Sequence, residues 1–266
     1  MNNRHLRRGA AIAAAALLLS ACGAEEEPPE ESAVTEEVVE EAPTEDLSEV
    51  EEEPEEPDEP EEAEEPETRS LVATSTVDEV EVFAEPSEDS ELTHTMDHPT
   101  ERGVPRVFLV EERDDGWLEV LLPVRPNGST GWIREADVDL AWNPYEVEVN
   151  LADFRMTIHR EDELIVDETI GYGDEDTPTP GGRYYITELL QPPDPTGVYG
   201  PFAFGLSGFS DVHLSFAGGE GVIGIHGTNE PDSIGSTVSN GCIRVDNDVI
   251  TDMASFLPLG TPVTIS

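Results

Sequence analysis

Short segments of alternating apolar and polar residues follow one another along residues 70–142. Because successive side chains of a strand point to opposite faces, this pattern predicts half-buried β-strands. The predicted strands cover 77–84, 106–111 and 117–121, and a further strand begins at Gly131-Trp132-Ile133, after the turn signal Asn127-Gly128. Closely spaced strands separated by Gly, Pro and Asp predict a small barrel or sandwich. We expect Trp117 and Trp132 in its core, with a platform for a ligand as the alternative.

A second series of strand patterns begins after Asn143-Pro144, a pair that predicts a domain boundary. The predicted strands cover 145–151, 154–159, 163–170, 183–190, 222–226 and 261–265. One helix is predicted over 248–257, with Asp246 as its N-cap. The fold class is therefore mainly β: a small N-terminal β-barrel-like domain over 70–142, then a β-rich domain with one late helix over 143–266.

The first 21 residues have the pattern of a bacterial export signal, with three arginines before an apolar run over 9–19. That run is too short to span a bilayer comfortably. It ends in Leu-Ser-Ala-Cys at 19–22, which resembles the lipobox of bacterial lipoproteins. The resemblance implies cleavage before Cys22, a lipid on its sulfur, and a protein held at the outer face of the cell membrane that reaches the cell wall. The alternative is an ordinary signal peptide with an incidental cysteine.

Residues 22–69 are predicted to form an extended, disordered linker. Between residues 24 and 68 the chain has 24 Asp or Glu and 7 Pro. So little apolar surface cannot offset the entropy lost on ordering, and like charges keep the segment extended. We expect a spacer between the lipid and the folded part, or a segment that only confers solubility.

The whole chain is strongly acidic, with 13 arginines, no lysine and 61 acids for a formal net charge of −48. Such a charge excludes binding to phosphate backbones, so no nucleic acid is expected as a partner. A surface adapted to high salt is the simpler interpretation, and attraction of a cationic substrate is the other. Two cysteines are too few for a disulfide framework or a cysteine-based zinc site.

Candidate chemistry is concentrated near Cys242 and His226. A thiolate is a strong nucleophile and a nearby imidazole can take its proton. The N–H groups of Gly241 and Cys242 are candidates for an oxyanion hole, and Arg244 is a candidate to hold a carboxylate. The alternatives are an inert buried cysteine, a structural histidine, and an arginine paired with one of the many acids.

The sequences Ile-His-Gly-Thr at 225–228 and Ser-Asn-Gly-Cys-Ile-Arg at 239–244 together resemble the signature of L,D-transpeptidases with a YkuD-type catalytic domain. The glycine-rich stretch 171–181 and the closing stretch 258–263 also fit that family, so the resemblance covers about 143–266. It implies a cysteine acyltransferase that acts on peptidoglycan stem peptides and forms 3→3 cross-links through a thioester. Carbapenem-type β-lactams are the implied inhibitors, and neither a metal nor a cofactor is implied.

The same resemblance implies individual roles. Cys242 is the nucleophile, His226 accepts and returns the proton, and the backbone carbonyl of Gly227 orients the imidazole. Ser239 and Asn240 belong to the substrate-binding turn with Gly241 and Arg244. Asn240 stands where the family usually has histidine, which leaves His226 as the only motif histidine able to act as a base.

Several alternatives stay open at this point. Water as the acceptor would make the enzyme an L,D-carboxypeptidase, and an amine on a surface protein would make it an anchoring transferase. A non-enzymatic wall-binding lipoprotein with a decayed site is a further alternative. A sortase would have its histidine much farther upstream than the 16 residues that separate His226 from Cys242. Residues 114–118 and 131–133 resemble bacterial Src-homology-3-like domains, which often precede cell-wall enzymes.

Overall fold

The computed structural model describes residues 69–213 and 221–266. The predicted export signal, Cys22 and residues 22–68 of the predicted linker lie outside them. The described residues belong to one compact unit, and within it no helix has the length and apolar character needed to cross a membrane. The domain limits inferred from the sequence stay predictions.

The N-terminal sheet has seven antiparallel strands in the order β3-β2-β6-β5-β4-β1-β7. Its strands are β1 (Ser70–Ser75), β2 (Glu79–Phe83), β3 (Leu92–Asp97), β4 (Val107–Asp114), β5 (Trp117–Leu121), β6 (Thr130–Arg134) and β7 (Val138–Asn143). One buried cluster takes side chains from all seven strands, among them Val80, Phe108 and Ile133. The sheet therefore folds around a single core, in keeping with the predicted barrel-like form.

The prediction that Trp117 and Trp132 belong to this core is wrong. Both indole side chains are only half-buried, while their neighbours Leu118 and Ile133 are fully buried. The reason is the two-residue period of a strand, which sends Trp117 to the face opposite Leu118. On that face Trp117 meets the ring of Phe83 edge-on at 5.3 Å.

The C-terminal sheet has eight strands in the order β10-β9-β8-β17-β12-β13-β14-β16. Its strands are β8 (Tyr145–Asn150), β9 (Arg155–Arg160), β10 (Glu163–Thr169), β12 (Gly182–Leu190), β13 (Ala203–Phe209), β14 (Val222–His226), β16 (Ile243–Arg244) and β17 (Pro262–Ile265). A small parallel sheet pairs β11 (Tyr172–Gly173) with β15 (Thr237–Ser239).

The helix α1 (Asn247–Phe256) begins as the sequence predicts. Asp246 is its N-cap, and the Asp246 side chain accepts a hydrogen bond of 2.8 Å from the N–H of Asp248. Ile250 and Met253, three positions apart, are buried in the core of the C-terminal sheet, since residues at that spacing share a helix face. The helix is thereby fixed directly after the strand that follows Cys242.

The two sheets pack against each other through a third apolar cluster centred on the fully buried Tyr185, which also contains the buried side chains of Val72 and Leu109. The side-chain amide of Asn143 donates to Thr261 Oγ1 at 3.0 Å beside it. A second attachment is the Asn127 side chain, which both donates to and accepts from the backbone of Phe209, at 2.8 and 2.9 Å. The N-terminal sheet is therefore fixed next to the end of β13.

Candidate active site

Strand pairing brings together the histidine and the cysteine predicted as a catalytic pair. β14 runs parallel to β16 with His226 opposite Arg244 and Ile225 opposite Ile243. Cys242, one residue before β16, therefore lies beside Gly224. Both His226 and Cys242 line a cavity of about 390 Å³.

His226 is buried and held in one orientation. Its Nδ1 lies 2.5 Å from the carbonyl oxygen of Gly227, the contact that the resemblance implied. Because a carbonyl can only accept, Nδ1 carries the proton and Nε2 keeps its lone pair. The ring of Tyr199 meets the imidazole edge-on at 5.0 Å.

Burial lowers the pKa of His226 to about 4, with a further lowering by the charge of Arg244, against an opposing effect of the Gly227 hydrogen bond. The imidazole is therefore neutral at physiological pH. Burial raises the pKa of the half-buried Cys242 thiol, against smaller lowering effects of a hydrogen bond from the Gly224 backbone and of Arg244. Both groups rest in their neutral forms, so the thiol must lose its proton during the attack.

The turn that presents Cys242 is closed by the buried hydroxyl of Ser239. Ser239 Oγ donates to the carbonyl of Cys242 at 2.5 Å and accepts from the N–H of Gly241 at 3.2 Å. Gly241 has a φ of +100°, a conformation that favours glycine. The Gly241 N–H thus has an acceptor inside the turn, contrary to its predicted place in an oxyanion hole, and the N–H of Cys242 is left as the candidate donor.

The glycine-rich stretch supports this turn from the other side. β11 pairs with β15, and Thr177 Oγ1 donates to the carbonyl of Ser239 at 3.0 Å. The Asp174 carboxylate accepts the N–H and hydroxyl of Thr177, and these hydrogen bonds lower the pKa of Asp174. Two segments far apart in sequence therefore fix one loop.

Asn247, at the start of α1, holds the other loop, and the sequence analysis did not find it. Its side-chain oxygen accepts from the N–H of Thr228 at 2.8 Å, and its NH2 donates to the Thr228 carbonyl at 2.9 Å. A Cβ on Gly227 would lie 2.3 Å from the same Asn247 oxygen. The loop that follows His226 is thus held to the start of α1. The sequence signal for this contact was a side-chain amide directly after the N-cap Asp246.

Two predicted substrate-binding residues lie away from the cavity. Arg244 Nη1 donates to Glu230 at 2.9 Å and to Ser233 Oγ at 3.2 Å, so Arg244 pairs with an acid, which was the alternative interpretation, and does not line the cavity. Asn240 is exposed and is also outside the lining. Both residues are close to Cys242 in sequence. The turn that contains Asn240 and the strand that contains Arg244 direct the two side chains away from the cavity.

The rest of the cavity wall is largely apolar and is contributed by the loop after β12 and by β13 and β14. Its charged side chains are Arg102, from the N-terminal sheet's β3–β4 loop, and Glu188 of β12. Across the described ranges 69–213 and 221–266, no group of three or more His, Cys, Asp or Glu is placed to hold a metal ion. The polar side chains that line the cavity are a thiol, an imidazole, one ion pair, the phenol of Tyr199 and the amide of Gln191.

Residues 144–265 match the family model of the YkuD-type L,D-transpeptidase catalytic domain. A candidate L,D-transpeptidase named YkuD, from Bacillus licheniformis, is 36% identical over 123 residues. The match covers 46% of this chain and 66% of that relative, so the chain spans somewhat less than two thirds of its length. These matches support an L,D-transpeptidase catalytic domain over the C-terminal sheet.

Two solved structures resemble parts of the chain. The Bdellovibrio bacteriovorus protein Bd1075 is 30% identical, with a TM-score of 0.37, over 47% of this chain and 48% of that one. The catalytic domain of the E. faecium L,D-transpeptidase, solved by NMR acylated by ertapenem, is 20% identical with a TM-score of 0.33. That match covers 47% of this chain and 98% of the other.

Proposed function

We propose that the protein is a peptidoglycan L,D-transpeptidase in which Cys242 forms a thioester with a donor stem and passes it to the amine of a second stem. The observation that carries the proposal is that the paired strands β14 and β16 bring His226 and Cys242 into one cavity. The family match over 144–265 supports the same class of reaction. The neutral, oriented imidazole is suited to accept a proton from a thiol.

In the first half of the reaction, the sulfur of Cys242 attacks the carbonyl of the third residue of a tetrapeptide stem. The S–C bond forms as the thiol proton moves to Nε2 of His226, while Nδ1 stays on the Gly227 carbonyl. The N–H of Cys242 is the donor proposed for the developing oxyanion. The C–N bond to D-alanine then breaks, and its amine takes the proton from His226.

In the second half, the side-chain amine of another stem attacks the thioester. Its nitrogen gives up a proton to His226, the C–S bond breaks, and the thiolate of Cys242 recovers that proton. The product is a 3→3 cross-link. Water in place of the amine would give a carboxypeptidase. The largely apolar wall of the cavity supports transfer to the amine.

The test uses the purified chain, a tetrapeptide donor and a second stem as acceptor. We expect release of D-alanine together with 3→3 dimers detected by mass spectrometry, and neither product from Cys242→Ser. D-alanine without dimers would favour the carboxypeptidase. No D-alanine from the folded parent chain would overturn the proposed reaction and favour a wall-binding protein.

The proposed location is the outer face of the cell membrane, with a lipid on Cys22 and residues 22–69 as the spacer. Each buried CH2 of an acyl chain contributes about 0.8 kcal/mol, so two or three chains anchor a protein stably. Cys22→Ala should therefore release the protein from the membrane fraction, with Cys242→Ala as the control that stays bound. Equal retention of the two variants would remove the lipid anchor.

A further inference from the structure

A row of four residues crosses the floor of the cavity from β12 to the nucleophile. Glu188 is opposite Gly205, Gly205 is opposite Gly224, and Gly224 is beside Cys242 in the parallel pair of β14 and β16. All four residues line the cavity. Because neighbouring strands lie about 4.8 Å apart, three strand spacings separate the Cα atoms of Glu188 and Cys242 by about 14 Å.

The two central positions of this row have no side chain. A Cβ on Gly224 would lie 2.5 Å from the backbone oxygen of Phe204, whereas the space beside Gly205 is taken by Glu188. A Cβ on Gly205 would lie 2.7 Å from Cγ and 2.9 Å from Oε1 of Glu188. The carboxylate therefore leans over Gly205, about one strand spacing closer to Cys242. The glycines form a trough with the sulfur at one end and a carboxylate at the other.

Arg102 completes the charged end of the trough from the other sheet. Its Nη1 donates to Glu188 Oε1 at 2.9 Å, and its side chain is 57% exposed whereas that of Glu188 is 17% exposed. The turn that carries Arg102 is closed by hydrogen bonds between Thr100 and both Gly103 and Val104. The guanidinium is thus presented at the cavity by a fixed loop, with donors left over for a ligand.

We propose that the Arg102–Glu188 pair binds the zwitterionic end of a diamino-acid side chain, a free α-amino carboxylate, on the stem held by Cys242. This inference rests on the proposed function and specifies its donor. Arg102 binds the carboxylate and Glu188 the ammonium group of the ligand. A half-exposed ion pair contributes little to stability, so it exchanges its internal contact for two contacts to the ligand at small cost.

The dimensions of the trough agree with this ligand. In a diamino acid with a carboxylate at its far end, such as meso-diaminopimelate, four carbon–carbon bonds join the backbone Cα to the distal centre, a span of about 5 Å. The acyl carbon on the sulfur then lies over Gly224 and the distal centre over Gly205, within hydrogen-bond reach of Glu188. An L-lysine side chain of similar length carries the ammonium group but lacks the carboxylate.

The test measures binding in the non-acylating Cys242→Ser chain, by titration calorimetry. The probes are two tetrapeptides that differ only in the third residue, meso-diaminopimelate or L-lysine. Arg102→Gln should weaken binding of the diaminopimelate peptide about tenfold and leave the lysine peptide unchanged. Glu188→Gln should weaken both peptides to a similar extent.

Arg183→Gln is the matched control. Arg183 also forms an ion pair between the two sheets, with Glu111 at 3.0 Å, but it does not line the cavity. It should leave both affinities unchanged. Equal losses for Arg102→Gln and Arg183→Gln, or equal losses for the two peptides with Arg102→Gln, would overturn the recognition role. Failure of the parent chain to release D-alanine would refute the proposed reaction. The measured affinities would still decide whether Arg102 and Glu188 recognise the diamino acid.

Discussion

The imidazole of His226 is the residue on which the proposed proton transfers depend. It is 5% exposed, its Nδ1–H is committed to Gly227, and its pKa is lowered to about 4, mainly by burial. A base with so low a pKa is a weak one in the resting protein. It becomes stronger as negative charge develops on the sulfur beside it, so the transfer is coupled to the attack.

The lowered pKa predicts a loss of stability in acid. Below about pH 6.5 the unfolded chain protonates this histidine, whereas the folded chain resists until about pH 4. Stability from this group is therefore lost as the pH falls from about 6.5 to about 4, by roughly 3 kcal/mol in total. Urea unfolding of the parent and of His226→Gln at pH 7 and pH 4 measures it. The carboxylates titrate in both proteins, and an identical pH dependence of the two would contradict the prediction.

For Asn240 we predict only a small effect on the rate, because its side chain is exposed and does not line the cavity. Asn240→His should change the rate of D-alanine release by no more than about threefold, since a surface imidazole has no contact with the reacting atoms. The pH profile of the rate should stay that of the parent, while His226→Ala should abolish release. A new ionisation near pH 6.5 in the Asn240→His profile would place that side chain at the site.

At the scale of elements, the site is held by loops that are fixed to neighbouring elements. The side chain of Asn247 in α1 forms two hydrogen bonds with the backbone of Thr228, and the Thr177 hydroxyl donates to the carbonyl of Ser239. Because Gly227 precedes Thr228, the helix start also determines where the carbonyl that orients His226 lies. The pairing of β14 with β16 thus brings the imidazole and the thiol together, and each of their loops has its own further anchor.

Asn247→Ala tests this arrangement. It removes two hydrogen bonds and leaves a buried N–H and carbonyl of Thr228 unpaired, which costs about 1–3 kcal/mol. We expect kcat for D-alanine release to fall at least tenfold, with KM nearly unchanged, because the histidine shifts while the cavity wall remains. Asn247→Asp keeps the acceptor for the Thr228 N–H and should therefore retain more of the stability and more of the kcat than Asn247→Ala. A wild-type kcat in a destabilised Asn247→Ala protein would show that the hydrogen bonds between Asn247 and Thr228 do not position His226.

Strands with alternating apolar residues could be predicted from the sequence, and β5 and β14 have the predicted bounds. β13 was missed because it is almost wholly buried and contains Gly and Ser, so it shows no alternation. β11, β15 and β16 are two or three residues long and exist only through their pairing. Local patterns carry no information on such contacts, and the same holds for the Arg102–Glu188 pair.

Within the motif, sequence proximity was a poor guide to which side chains line the cavity. Cys242, His226 and Gly227 were singled out because their order resembles the signature of one family, and the structure places the first two in one cavity and the Gly227 carbonyl on the imidazole. Arg244 and Asn240 are next to them in the chain but leave the cavity, since successive residues of a strand or turn point in different directions. Arg102 and Glu188 come from two sheets and only the fold brings them to the cavity.

At the scale of the whole molecule, the part of the chain that carries the two packed sheets is itself acidic, since residues 69–266 have 37 acids against 10 arginines, a formal net charge of −27. Repulsion between the acids opposes the folded state, and salt reduces it by shortening the Debye length from about 10 Å at 0.1 M to about 3 Å at 1 M. We therefore expect the Tm to rise by several degrees between 0.1 and 1 M NaCl, measured by calorimetry. A variant with exposed Asp162, Glu163 and Glu168 changed to amides should show a smaller rise. A Tm that falls with added salt would contradict the prediction.

The most direct test of the proposed nucleophile is a covalent adduct with a carbapenem. The Cys22→Ala chain, in which Cys242 is the one remaining cysteine, is incubated with ertapenem and examined by intact-mass and peptide mass spectrometry. A nucleophile at Cys242 predicts one adduct per chain, located on the peptide that contains Cys242, and none when Cys242→Ser is added. An adduct that persists without Cys242, or its absence in the folded Cys22→Ala protein, would contradict the central claim.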